Sequence, residues 1–167
     1  NFSPGEKFFS HYYLHGTDSL DNSLAKNGFH RNDITDVILT HLHFDHCGGS
    51  IEREGERLVP AFKKATFWSN EKHWQWATQP NEREKASFLK ENILPIRESG
   101  QLKMIPAGES DSSKLSSAYF SDSLSIRFVN GHTEKMMLPQ VNYNGQTIVF
   151  VADLIPSVAH LPIPYIM

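Results

Sequence analysis

Apolar and polar positions alternate through Ser123-Leu124-Ser125-Ile126-Arg127-Phe128-Val129, the period of two expected of a strand with one buried face. Further on, Val141-Asn142-Tyr143 and Gln146-Thr147-Ile148-Val149-Phe150-Val151 flank Asn144-Gly145, a pair suited to positive φ that predicts a type I′ hairpin. Short apolar runs at Asp36-Val37-Ile38-Leu39-Thr40, Ala65-Thr66-Phe67-Trp68 and Leu102 to Ile105 predict three more strands, the first leading directly into His41. Helices are signalled by caps and stops. Thr17-Asp18-Ser19 precedes Leu20 and Leu24, and Gly28 ends the pattern, which predicts a helix over about residues 18–27. Ser69 or Asn70 caps a second helix through Trp76, and Asn81 opens a third that runs to about Leu94 and stops ahead of Pro95. Arg53 to Arg57 reads as a polar hairpin tip and Ser110 to Ser117 as a serine-rich loop. With no internal repeat and no linker, residues 1–167 read as a single domain of mixed α and β structure.

Composition narrows the functional classes. A chain of 167 residues can bury a real core, and a net charge of -3 gives no general attraction to nucleic acid, so a small-molecule partner is expected instead. No apolar run approaches the roughly 18 to 20 residues of a membrane-spanning helix. The single cysteine, Cys47, excludes an intrachain disulfide; this tilts the reading towards the cytoplasm and leaves a secreted or periplasmic parent open. Oligomeric state is not legible. The chain starts at Asn1 with neither Met nor a basic-then-apolar leader, and stops in the apolar run Pro162 to Met167, so both ends read as cut.

The chemistry is concentrated in Thr40-His41-Leu42-His43-Phe44-Asp45-His46-Cys47-Gly48-Gly49, with three imidazoles and a carboxylate in six positions. In an extended backbone, residues two apart point to the same side, so His41 and His43 can grip one ion together. A turn after His43 would bring Asp45 and His46 round to a neighbouring ion, with Gly48 and Gly49 permitting close backbone approach. Crowded ionisable groups cost stability unless something pairs them, and divalent metals such as zinc accept imidazole and carboxylate together. Two later positions fit the same arrangement: His132, in Asn130-Gly131-His132-Thr133 after one strand, and Asp153, after the apolar strand Ile148 to Ala152. Three strands thus deliver metal-capable side chains at their C-terminal ends.

The His-x-His-x-Asp-His run, the Gly-His-Thr triplet and the Asp closing a hydrophobic strand resemble the metallo-β-lactamase superfamily over residues 36 to 153. The resemblance implies an incomplete αββα sandwich of α/β (α+β) class and two divalent metal ions, zinc before iron, manganese or cobalt. It implies that His41, His43 and His132 bind the first metal and that Asp45 and His46 bind the second, with Asp153 bridging both. A metal-bridging hydroxide would then attack a carbonyl or phosphoryl centre, with Asp45 or Asp153 steering the proton. Two departures stand out. The family's early strand and turn are missing ahead of the first helix. Its last ligand, a histidine some tens of residues beyond the bridging Asp, has no counterpart in the fourteen residues after Asp153, which leaves the second site short of a ligand. His160 lies too near for that role and reads as a supporting or structural histidine.

The resemblance is strongest to the lactonase and phosphotriesterase branch, implying a small ester, lactone or phosphotriester substrate. Alternatives are a thioester hydrolase of the glyoxalase II kind, a β-lactamase, a di-iron redox protein, and a catalytically dead fragment. Other residues carry plainer readings. Cys47 reads as a small buried thiol. Phe67, Trp68, Trp74 and Trp76 read as core before substrate wall or lid. His11, His15, His30 and His73 read as surface or core histidines, and Glu82-Arg83-Glu84-Lys85 as the solvated face of a helix.

Overall fold

A computed structural model of the chain describes residues 10–13, 15–107, 112–113 and 122–161. The sequence readings at Asn1 to Gly5 and Pro162 to Met167, and most of that at Ser110 to Ser117, lie outside these residues. The elements in order are α1 (Leu20–Lys26), β1 (Asp36–Ile38), α2 (Phe44–Cys47), β2 (Ile51–Glu54), β3 (Arg57–Pro60), β4 (Thr66–Ser69), α3 (Glu71–Thr78), α4 (Lys90–Glu98), β5 (Leu102–Met104), β6 (Ser112–Ser113), β7 (Leu124–Val129), β8 (Met136–Tyr143) and β9 (Gln146–Val149). Strands β1, β4 and β5 form a parallel sheet in that order, and β6 to β9 form an antiparallel sheet. A β2–β3 hairpin turns at Gly55, with φ +60°.

Side chains of the parallel sheet fall into two cores, because neighbouring residues on a strand point to opposite faces. Phe67 packs with Trp74, Ile93 and Ile96 of α3 and α4, whereas its neighbour Trp68 packs with Ile126, Phe128 and Met137 of the antiparallel sheet. The layers therefore run helices, sheet, sheet, as three layers of an αββα sandwich. Burial of each large apolar side chain contributes about 1.5–3 kcal/mol relative to exposure. Three of the four central aromatics, Phe67, Trp68 and Trp74, are core residues in this sense; Trp76 is half-buried.

Local signals set many of the boundaries. Ser19 caps α1 by accepting from Asn22 N–H, and Asn70 caps α3 by accepting from His73 N–H. Asn144 and Gly145 both have positive φ, 50° and 74°, as the β8–β9 turn requires. Three differences from the sequence reading are informative. Asn81 does not open a long helix. Its side chain accepts from Glu84 N–H and closes a turn, while α4 begins only at Lys90 and passes straight through Pro95. Proline removes a hydrogen bond to the carbonyl four residues back, here that of exposed Glu91, which water can satisfy, and burial of Ile93 and Ile96 holds the helix together. Within the serine-rich stretch, Ser112 and Ser113 pair with Arg127 and Ile126. Finally, β9 ends at Val149 instead of continuing to Ala152, because Ala152 adopts a left-handed conformation with φ +45°.

Candidate metal centre

The first sheet hands the chain to the second at the histidine-rich segment. Leu39 N–H donates to Trp68 O at 3.0 Å, extending the parallel ladder past β1, and Met137 N–H donates to Thr40 O at 2.8 Å, tying the exit to β8. Leu42 packs into the helix-side core, and the rings of His41 and His43 on either side of it lie 4.8 Å apart. His43 stays extended, with φ -62° and ψ 146°, and its carbonyl accepts from both His46 and Cys47 N–H to start the single turn of α2. That turn brings the His46 ring to 4.1 Å from the ring of His41.

Two distant segments complete the cluster. After β7 the chain turns at Gly131, whose φ of +148° is a conformation that other residues rarely adopt. Asn130 closes the loop by accepting from Lys135 N–H at 2.9 Å, and His132 Nε2 comes to 3.0 Å from His43 Nδ1. Beyond β9, the left-handed Ala152 redirects the backbone so that Asp153 Oδ2 lies 3.1 Å from His46 Nε2 and 3.5 Å from His132 Nε2. Donor atoms of His41, His43 and His132 form one group, and those of His41, His46 and Asp153 another, each with all atoms within 4.8 Å of one another.

Asp45 belongs to neither group; its side chain is 58% exposed, with Oδ2 3.6 Å from His46 Nε2. Neither group includes His160, whose Nδ1 lies 2.8 Å from Ser157 Oγ. The expectation of close backbone approach is not met at Gly49. Its backbone is not in the left-handed region, and an added Cβ would meet nothing nearer than Leu20 Cδ2 at 4.0 Å.

Burial keeps His41 and His43 neutral. It pushes His41 down to about 2, helped by the neighbouring rings of His46, His43 and His132. Burial and His132 take His43 to about 4, against the opposing pull of Glu84 and Asp45. At neutral pH these rings therefore offer lone pairs. Thr40 Oγ1 lies 3.2 Å from His41 Nδ1, while the buried His41 Nε2 has no hydrogen-bond partner among the described residues. A buried nitrogen without a partner costs about 1–3 kcal/mol. Several converging imidazoles, a carboxylate and this orphaned nitrogen suit a divalent metal of zinc's character.

Sequence reasoning missed the residues that brace the cluster. His73, read as an ordinary histidine, accepts Leu42 N–H on Nε2 at 2.9 Å and donates from Nδ1 to Glu134 O, so it clamps both histidine-bearing loops. Asn70 adds a bond from Nδ2 to Lys135 O at 2.9 Å. Glu84, read as part of a solvated helix face, is buried. Its Oε2 accepts from Trp76 Nε1 at 3.0 Å and from Thr133 Oγ1 at 2.7 Å. Burial alone would push this carboxyl up, but those hydrogen bonds and nearby His43 hold it below its ordinary value. Cys47 fits its plain reading: it is fully buried, its Sγ donates to Leu42 O at 3.3 Å, and burial pushes its thiol up to about 12. A thiol reagent at pH 8 is accordingly expected to leave Cys47 unmodified in the folded protein and to react fully in denaturant; fast labelling of the native chain would contradict its burial.

The sequence profile described as the metallo-beta-lactamase superfamily matches residues 10–166. The chain belongs to the metallo-beta-lactamase superfamily. No curated protein matches it in sequence. Among solved structures, it is similar to a "probable metal-dependent hydrolase" from Staphylococcus aureus, with a TM-score of 0.76, 21% identity, and coverage of 93% of this chain and 51% of the other. AidC, a dizinc quorum-quenching lactonase in complex with a product, superimposes with a TM-score of 0.63 at 21% identity over 87% of this chain and 50% of its own. An N-acyl homoserine lactone hydrolase, with its product N-hexanoyl-L-homoserine bound at the catalytic metal centre, gives 0.55 at 21% identity over 80% and 44%. The chain thus spans about half the length of these three proteins.

Proposed function

We propose that this chain is the metal-holding part of a hydrolase that uses two divalent ions, preferably zinc, to cleave a small ester, lactone or phosphotriester. The observation that carries the reading is the pair of donor groups sharing His41, with Asp153 Oδ2 set between His46 and His132. In this proposal His41, His43 and His132 would hold one ion and Asp45 and His46 the other, with Asp153 available to both. Such ions, when bound, supply a Lewis acid for the substrate oxygen and lower the pKa of a water towards neutrality.

The chain's own residues do the rest. Thr40 and His73 fix the first motif, so the imidazoles enter the reaction already oriented. Phe88, with its ring 4.7 Å from that of His43, closes an apolar wall on one side. Asp45 is open enough to solvent to pass a proton between the reacting centre and bulk water. The two lactonase structures support the lactone as the first substrate to try.

The deciding experiment is elemental analysis of the dialysed chain beside a His41→Ala/His43→Ala control, followed by a panel of lactones, phosphotriesters and thioesters. About two metals per wild-type chain, none in the control, and lactone turnover lost with the metal are expected; about one metal would mean that the second site, short of its last ligand, does not retain its ion. Equal metal in both proteins would remove the two histidines from the site. Turnover confined to thioesters would keep the metal reading and replace the substrate class.

A further inference from the structure

The two nitrogens of His43 face different surroundings. Nδ1 lies 3.0 Å from His132 Nε2, inside the histidine cluster, whereas the buried Nε2 has no hydrogen-bond partner among the described residues and lies 3.8 Å from Glu84 Oε2. Glu84 itself is firmly placed. Asn81 Oδ1 accepts its N–H, Ser87 N–H donates to its carbonyl, and Trp76 and Thr133 both donate to Oε2. Thr133 directly follows His132, so one carboxylate reaches both histidine-bearing segments from behind the cluster.

We infer that Glu84 is a positioning residue for the metal centre, holding the His43 proton on Nε2 so that the Nδ1 lone pair faces the ion. The inference rests on the proposed two-metal reading. A neutral imidazole carries one proton on one of two nitrogens, and the partner of the protonated nitrogen decides which. An anionic carboxylate opposite Nε2 attracts the proton there and leaves Nδ1 bare. A bound cation at Nδ1 increases the positive charge on the ring and draws Nε2–H towards Glu84. Carboxylates placed behind metal-bound histidines commonly contribute 10–100-fold to metal affinity. Through Thr133 the same oxygen restrains the approach of His132, a tie that needs an acceptor oxygen in this place and not its charge. Glu84 touches neither the ion nor the substrate in this role.

The test is Glu84→Gln, because the amide oxygen can still accept from Trp76 and Thr133 while the charge is gone. Zinc affinity is measured by chelator competition, and the His43 tautomer of the metal-free protein by nitrogen-15 NMR of the imidazoles. The expected result is zinc affinity about 10–100-fold weaker in the variant, at an unchanged metal-free melting temperature. In the same comparison, the His43 proton shifts from Nε2 in the wild type towards Nδ1 in the variant. Thr133→Val, which removes only the tie to the His132 segment, is a second variant and is expected to weaken zinc binding by less. Zinc bound equally tightly by the wild type and Glu84→Gln overturns the assignment of Glu84 alone. No zinc in the wild type overturns the two-metal reading, and the assignment with it.

Discussion

Zinc is expected to raise the melting temperature of the wild-type chain by about 10 °C and to leave that of a His41→Leu variant unchanged. The size follows from linkage. A ligand present at a thousand times its dissociation constant stabilises the folded state by about 4 kcal/mol, and in a chain of this length each kcal/mol moves the melting temperature by about 2–4 °C. His41 is the residue to change because it belongs to both donor groups. The metal-free comparison is equally informative. His41 Nε2 is buried with no partner among the described residues, which costs about 1–3 kcal/mol, and leucine fills similar space without a polar atom. The metal-free variant is therefore expected to be at least as stable as the metal-free wild type, the trade-off that marks a residue kept for chemistry. An equal zinc-induced rise in both proteins would take His41 out of the site. A metal-free variant less stable than wild type by more than about 2 kcal/mol would show that the imidazole earns its place by packing.

The residues grouped in space are those whose signals were local in the sequence. His41, His43 and His46 sit within one short run, and His132 and Asp153 each follow a recognisable strand, so the strands bring them near one edge and the turns at Gly131 and Ala152 complete the approach. The Asn144-Gly145 turn was legible for the same reason, since its chemistry resides in two residues. What the sequence hid depends on partners far along the chain. Glu84 meets Thr133 across 49 positions and His73 meets Glu134 across 61, and nothing near either residue signals those contacts. The charged run around Glu84 resembled a solvated helix face because charge pattern does not show which member turns inward. Helix α4 failed for the opposite reason. The local rule at Pro95 is sound, but buried Ile93 and Ile96 outweigh it. Asp45 lies between these cases: its place in the motif was plain, yet in the structure its carboxylate is turned mostly to solvent.

In the metal-free chain, stability is expected to fall as pH drops from about 6.5 to about 4, and His73 sets much of the window. Burial lowers this histidine to about 4, opposed by its hydrogen bond to the Glu134 carbonyl, and further lowered by His43. Its unfolded-state value is that of a free histidine, about 6.5. Between the two values the unfolded chain carries a proton that the folded chain refuses, so stability is complete above about 6.5 and is lost as pH falls towards about 4. From pH 7.5 to 5 the loss from His73 amounts to about 2 kcal/mol. The structural cause is that Nε2 must stay unprotonated to accept Leu42 N–H, so a second proton breaks the clamp between the two histidine-bearing loops. His43, lowered to a similar value, and His41, lowered further to about 2, add to the same slope until zinc takes their lone pairs. Urea unfolding of the metal-free protein at a series of pH values checks this, with His73→Gln as the control. The variant is expected to be less stable at pH 7.5 and to show a shallower dependence by about one proton across the window. A wild-type stability that is flat from pH 7 to 5, or a variant with an unchanged slope, would mean that His73 accepts its second proton without breaking the clamp.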